Sequence, residues 1–236
     1  GLVTLGGMTK VPSWSSLGPL LRGGAAMLLR QATLNVAFVS AARRAQAMDP
    51  TGVSAAAYGI VMQIYSLGVV AHLAVQGTAA ALVPSARAVD GDSAARDVAD
   101  RVFLWGTLLG FVLGGLQWAL LPFLVPAFST LPEVQEAVRA PAVISSFLHT
   151  INGPVFAGEG TMLGLGSYGA LAACTAIGVG VMGAVLASSV GKTVHGIFLS
   201  LAAFHVFQAA AVFVHHVRLG PLRRRGFGFG FGWRKG

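Results

Sequence analysis

The sequence predicts an all-α polytopic membrane protein, a bundle of six transmembrane helices, on three observations. Hydrophobic residues make up 55% of the 236 and charged residues only 10%, with a mean hydropathy of +0.73, whereas a soluble domain carries about 25% charged residues. Several apolar runs reach the roughly 18 to 20 residues that cross about 30 Å of hydrocarbon as a helix. Period-2 alternation is missing and Ala, Leu and Gly dominate, which argues against a transmembrane β-barrel.

The net charge of +8 would suggest nucleic acid in a soluble protein. Here the cations lie between the apolar runs and near the C-terminus, so the expected partner is the lipid bilayer with its anionic headgroups, and no nucleic acid is expected. Cys174 is the one cysteine and lies inside an apolar run, which excludes a disulfide framework or a cysteine metal site. No nucleophile, base and acid stand in a catalytic pattern. Gly158 to Gly169 lacks the lysine and preceding strand of a phosphate loop. The chain therefore reads as no enzyme, with no cofactor.

Gly1 to Ser16 is broken by Gly, Ser and Pro and predicts a linker; no signal-peptide pattern opens the chain. A first helix over 17–42 is apolar apart from Arg22, Arg30, Gln31 and Asn35 and closes on Arg43 and Arg44. Asp49-Pro50-Thr51-Gly52 predicts a turn. A second helix over 53–83 is interrupted by Gln63, His72 and Gln76 and ended by Pro84. His72 and Gln76, four apart, share a face turned away from lipid.

The mixed-charge stretch from Arg87 to Arg101 predicts a short solvated helix or loop. A third helix over 102–128 carries Gly110 and Gly114 in the small-xxx-small spacing of close helix contacts. A fourth over 134–157 starts on Glu133 and Glu136, which complement the helix dipole. Ser145, His149 and Asn152 lie on one side of it, with Pro154 as a kink. Glu159, the last acidic residue, then stands among glycines in the predicted loop before a fifth helix over 171–190. A sixth covers 194–217, followed by a basic Gly/Phe-rich tail over 220–236.

Six crossings place both termini on one side. That side takes Arg87, Arg96, Arg101, Arg218 and the tail arginines against Arg43, Arg44 and Lys192 opposite. By the positive-inside rule the termini face the cytoplasm or stroma. Plasma membrane, vacuole and plastid envelope are not distinguished.

These residues resemble the multidrug and toxic compound extrusion (MATE) transporters, specifically their C-terminal six-helix half. The likeness runs from about Pro12 to Leu219 and rests on Leu28-Leu29-Arg30, on Ala57 to Gln63, on Phe128 to Val134 and above all on Phe156 to Gly166. The last is similar to a family stretch reading Asp-Gly, three hydrophobic residues, Gly-x-Gly-Asp. Glu159 stands at the first aspartate and Ser167 at the second. The flavour is closest to plant and algal members, several of them plastid proteins.

The resemblance implies one lobe of a twelve-helix secondary transporter, an H⁺- or Na⁺-driven antiporter of organic cations, drugs or small metabolites. A further six-helix lobe would be its partner, with the substrate path between the two. Arg30, Asn35, Gln63, His72, Gln76, Ser145, His149 and Asn152 are then the candidates for the path of a small organic substrate. Helix-helix hydrogen bonding is the competing role for the glutamines, histidines and Asn152, and a structural pair or snorkelling for Arg30. His149 could titrate near neutral pH. Glu159 is the loop or gate candidate: a contact to a basic residue, a proton site, or an acid bonding the glycine turn. The first and fourth helices hold no acid in their interiors as bounded here, so a coupling carboxylate is expected in the other lobe. Alternative readings are a lipid-linked oligosaccharide flippase of the wider superfamily, which needs a cationic cavity, and a scaffold subunit without transport.

Overall fold

The computed structural model describes residues 13–223. The expected linker up to residue 12 and the basic tail from residue 224 lie outside the described residues. Five helices account for most of the rest: α1 (Trp14–Gln46), α2 (Val53–Phe128), α3 (Pro132–Gly164), α4 (Tyr168–Ala187) and α5 (Val194–Val214). A 3-10 turn covers Val190–Lys192 and a π turn His215–Leu219. No strand occurs among the described residues. Helices α1, α2, α4 and α5 are long and apolar enough to cross a membrane. The protein is an all-α polytopic membrane protein.

Helix α1 begins at Trp14, inside the expected linker, and absorbs Arg43 and Arg44 into its last turn, where cations suit the dipole. The turn that follows is built on Asp49, whose carboxylate accepts the backbone N–H groups of Val53 (3.1 Å) and Ser54 (2.9 Å) and the Thr51 hydroxyl (2.5 Å). Hydrogen bonding from Ser54 first and Thr51 next holds that carboxyl well below the usual carboxylate range. Its orphan-donor contacts start α2.

Pro84 does not end the second helix. Its missing N–H leaves the Ala80 carbonyl without its helical donor, and Gly164 of α3 closes over that carbonyl: a Cβ at Gly164 would stand 2.7 Å from it. The helix runs on to Gly91 (φ 82°, ψ −170°), a conformation essentially reserved for glycine. There the chain folds back, bringing Val83 against Ala95 and Ala99. The stretch from Arg87 to Arg101, expected as a separate short helix or loop, is this hinge and the helical turns on either side.

Contacts fix the direction of each rod. Helix α3 runs alongside the first arm of α2 (His149 at Gly68, Gly160 at Gln76, Gly164 at Ala80) and against the second (Ser146 at Gly114, Gly153 at Gly106, Gly158 at Phe103). Helix α4 follows α1, with Tyr168 on Gly23 and Thr175 on Arg30. Helix α5 returns along α4, with Phe204 on Gly178 and Gln208 on Thr175. The two arms of α2 thus make six alternating rods among the described residues. Gly91, the 165–167 turn and the π turn share one end.

The arms approach α3 as the glycine spacing implies. A Cβ at Gly106 would lie 2.8 Å from the Gly153 carbonyl and one at Gly114 2.7 Å from that of Ser146, while Gly153 has the Gly106 carbonyl closer still. Gly153→Ala should therefore push α2 and α3 apart and lower stability by about 1–3 kcal/mol, as overpacking does. Gly180→Ala, with no atom within 4 Å of the new methyl, should gain up to about 1 kcal/mol from helix propensity. Thermal unfolding of the two variants in detergent separates them; equal melting shifts would refute the close contact.

Candidate functional site

Glu159 is not in a loop. Helix α3 continues about two turns past the expected end and stops at Gly166, whose φ of 73° permits a Schellman closure: Ser167 N–H to the Met162 carbonyl at 2.8 Å and Gly166 N–H to that of Leu163 at 3.1 Å. Glu159 is 3% exposed. The glycines around it, which suggested a turn, are contact points. A Cβ at Gly158 would stand 2.6 Å from Val212 of α5, and one at Gly160 would collide with the Gln76 carbonyl of α2. Without side chains there, α2 and α5 come close enough to reach the carboxylate.

Its Oε2 accepts Arg30 Nη2 at 2.6 Å and Gln76 Nε2 at 2.8 Å, and its Oε1 accepts Gln208 Nε2 at 3.1 Å. Arg30 Nε also donates to Thr175 Oγ1 at 3.1 Å. One carboxylate of α3 therefore gathers donors from α1, α2 and α5, with α4 holding the far side of the arginine. The expectation that this chain keeps no acid inside its fourth helix is overturned by the position of α3's end. Arg30 is engaged in an ion pair and is not an open cation.

A second cluster continues along the same face of α3. The hydroxyls of Ser145 and Ser146 donate to the Ala142 carbonyl at 2.8 and 2.9 Å, so both oxygens accept from Gln117 Nε2, at 2.8 and 3.1 Å. That orients the amide and leaves Gln117 Oε1 to accept from His149 Nε2 at 2.8 Å. His149 Nδ1 is then the acceptor for His72 Nε2–H at 3.2 Å. Beside this chain Asn152 Nδ2 donates to the Tyr65 hydroxyl at 2.6 Å. The Tyr65 O–H points to His205 Nε2 at 3.4 Å, because His205 Nδ1 is committed to the Leu201 carbonyl at 2.8 Å.

The rings form a column between α2 and α3. Tyr65 and His149 have centroids 5.0 Å apart, His149 and His72 5.4 Å, His72 and Phe156 5.6 Å. Phe156 lies three residues before Glu159, so the two clusters make one buried seam from Ser145 to Glu159, about 21 Å along the helix axis. Three acceptors in it lack a hydrogen-bond partner: His72 Nδ1, Asn152 Oδ1 and Gln208 Oε1.

Of the residues singled out in the sequence, Arg30, His72, Gln76, Ser145, His149, Asn152 and Glu159 converge in this seam. Asn35 and Gln63 do not; both are exposed on the outer surface of α1 and α2, Asn35 accepting only from Gln31 at 3.4 Å. The Ser145, His149 and Asn152 face is fully buried against α2. Tyr65, Gln117, Thr175, His205 and Gln208 are new. His205 and Gln208, three apart in a largely apolar helix, carried a signal in their very presence, as polar residues at membrane depth do.

No protein-family model and no curated protein matches the sequence. Solved structures do. A MOP superfamily transporter from Pyrococcus furiosus, whose binding pocket of reverse polarity suggests a different function, superposes with a TM-score of 0.76 at 16% identity, over 87% of this chain and 46% of its own. A multidrug resistance MATE family transporter of the MOP superfamily, in an outward-facing conformation, gives the same TM-score, identity and coverage. The chain shares its fold with part of these transporters. The chain spans about half the length of the MOP transporters it matches. The buried seam belongs to the interior of the bundle formed by the six rods, while Asn35 and Gln63 sit on its outside.

Proposed function

We propose that this chain is one lobe, the C-terminal one, of a cation-coupled antiporter for small organic solutes, working with a second six-helix lobe. The observation that carries the reading is the Arg30–Glu159 pair, buried at the meeting point of α1, α2, α3 and α5 inside a MOP-fold bundle. Binding of H⁺ or Na⁺ at Glu159 weakens its hold on Arg30, Gln76 and Gln208 together. One charge event thereby changes the ties between four helices, which is the requirement for a switch between two packings. The surplus of acceptors in the seam favours a cation there over an anion.

The substrate path falls elsewhere. Asn35 and Gln63 expose polar groups on membrane-length helices, which is costly against lipid; a facing lobe would cover them and line the path with them. The flippase reading loses the support of Arg30, whose charge is taken by Glu159. Termini on the cytoplasmic or stromal side agree with Arg87, Arg96, Arg101, Arg218 and Arg223 near the Gly91 end, although Arg139 adds a cation to the opposite end.

The test reconstitutes the gene product containing this chain in vesicles loaded with a fluorescent organic cation and imposes a proton or a sodium gradient. Gradient-driven efflux is expected, reduced about tenfold or more by Glu159→Gln, within the range of a coupling free energy. No efflux under either gradient would reject antiport.

A further inference from the structure

The Gly91 end of the bundle contains a cavity of about 760 Å³ outside the polar seam. Three segments build its wall: Asp92, Ser93 and Arg96 from the second arm of α2, Ser167 from the turn after α3, and the exit of the chain from His215 to Arg223. We propose that this cavity binds a phosphate group, either free in solution or as the headgroup of an anionic lipid.

The walls are held in place. Leu222 is 4% exposed and packs with Val83, Ala95 and Ala99 on the inside of the hinge, and its carbonyl accepts from Arg96 Nη1. Gly220 N–H closes on the His215 carbonyl at 2.6 Å, ending the π turn. Such turns recur at functional sites. His216 reaches Asp100 at 2.6 Å and ties the same segment to α2 from the other side.

Charge and donors in the cavity favour an anion. Asp92, the one acid of the lining, is taken by Arg87 Nε at 2.7 Å. Arg96 is mostly buried, its side chain 14% exposed; its Nε pairs with Asp100 at 3.8 Å and its Nη1 is held by the Leu222 carbonyl, which fixes the guanidinium in the wall. Arg223 forms no ion pair among the described residues and stands exposed in the same lining. The exposed Arg223 guanidinium, the Arg96 guanidinium and the hydroxyls of Ser93 and Ser167 line the cavity together as donors. A phosphate, with several acceptor oxygens and one or two charges, matches that set bidentately. The position suits a headgroup, since the cavity opens where the membrane rods end and basic residues cluster.

The site is independent of antiport, so its failure would leave the transport reading standing. The gene product in detergent is offered equal amounts of phosphatidylglycerol and phosphatidylcholine and the retained lipid is weighed by native mass spectrometry; inorganic phosphate is titrated calorimetrically in parallel. Preferential retention of phosphatidylglycerol assigns the headgroup, and saturable phosphate binding assigns the free anion. In either case Arg223→Gln, at an exposed position whose side chain forms no ion pair among the described residues, should weaken binding about tenfold with an unchanged melting temperature, as loss of one charge-assisted contact does. Ser167→Val should weaken it less. Neither ligand binding, or binding that both variants leave unmoved, overturns the proposal.

Discussion

Glu159→Leu should cost about 3–5 kcal/mol of stability, because it leaves the Arg30 guanidinium in a buried setting without its counter-charge. The two side chains are 16% and 4% exposed, so water cannot replace the lost partner as it would at a surface pair, where the effect is near zero to 1 kcal/mol. Gln76 and Gln208 also lose their acceptor. The double variant Arg30→Met/Glu159→Leu removes both charges and should recover most of that loss, since a well-packed apolar pair in place of a buried ion pair is often neutral or stabilising. Melting in detergent reads both. If the single variant melts like the parent, the pair is not buried as described. If the double variant folds but gradient-driven efflux is gone, the pair serves the switch and not the fold.

Much of the architecture was legible from composition and spacing. The apolar runs announce membrane helices because a 30 Å hydrocarbon layer demands them, and Gly110 and Gly114 announce a close contact because their spacing stacks them on one face. Glycine and proline misled at the two places where they matter most. Around Glu159 a glycine cluster signals either a turn or a tight helix crossing, and only the neighbours Gln76 and Val212, distant in sequence, decide for the crossing. At Pro84 the helix runs on, as it does at Pro122 and Pro126, and Gly164 of α3 packs on the Ala80 carbonyl, a neighbour which a local reading does not contain.

The same limit applies to the site. Arg30 and Glu159 are 129 positions apart, and no periodicity links them. His72 and Gln76 were legible as one face through their i, i+4 spacing. Tyr65 lies seven residues before His72 and extends that face, a signal hidden because tyrosine is at home in apolar helices. Gln117 sits in a run otherwise apolar, and its role follows only from the two serines that face it.

His149→Leu is the second large effect, and here the buried geometry revises what the sequence suggested. A histidine lining a path could be replaced with little effect on folding. His149 is instead 0% exposed, holds Gln117 Oε1 on one side and takes the His72 N–H on the other. Leucine strands both, at about 1–3 kcal/mol for each buried unsatisfied group. The loss should shrink when Gln117→Met is added, because one stranded acceptor disappears with it; a coupling of about 0.5–3 kcal/mol between the two positions is expected from a double-mutant cycle of melting. Additive losses would mean the hydrogen-bonded chain does not exist. Asn152→Leu behaves differently: Tyr65 keeps His205 as its acceptor, and the substitution deletes an Oδ1 that has no partner. Asn152 is therefore the position where a fall in efflux at preserved folding speaks for function, while a fall at His149 has to be divided by the loss of folded protein before it speaks for anything.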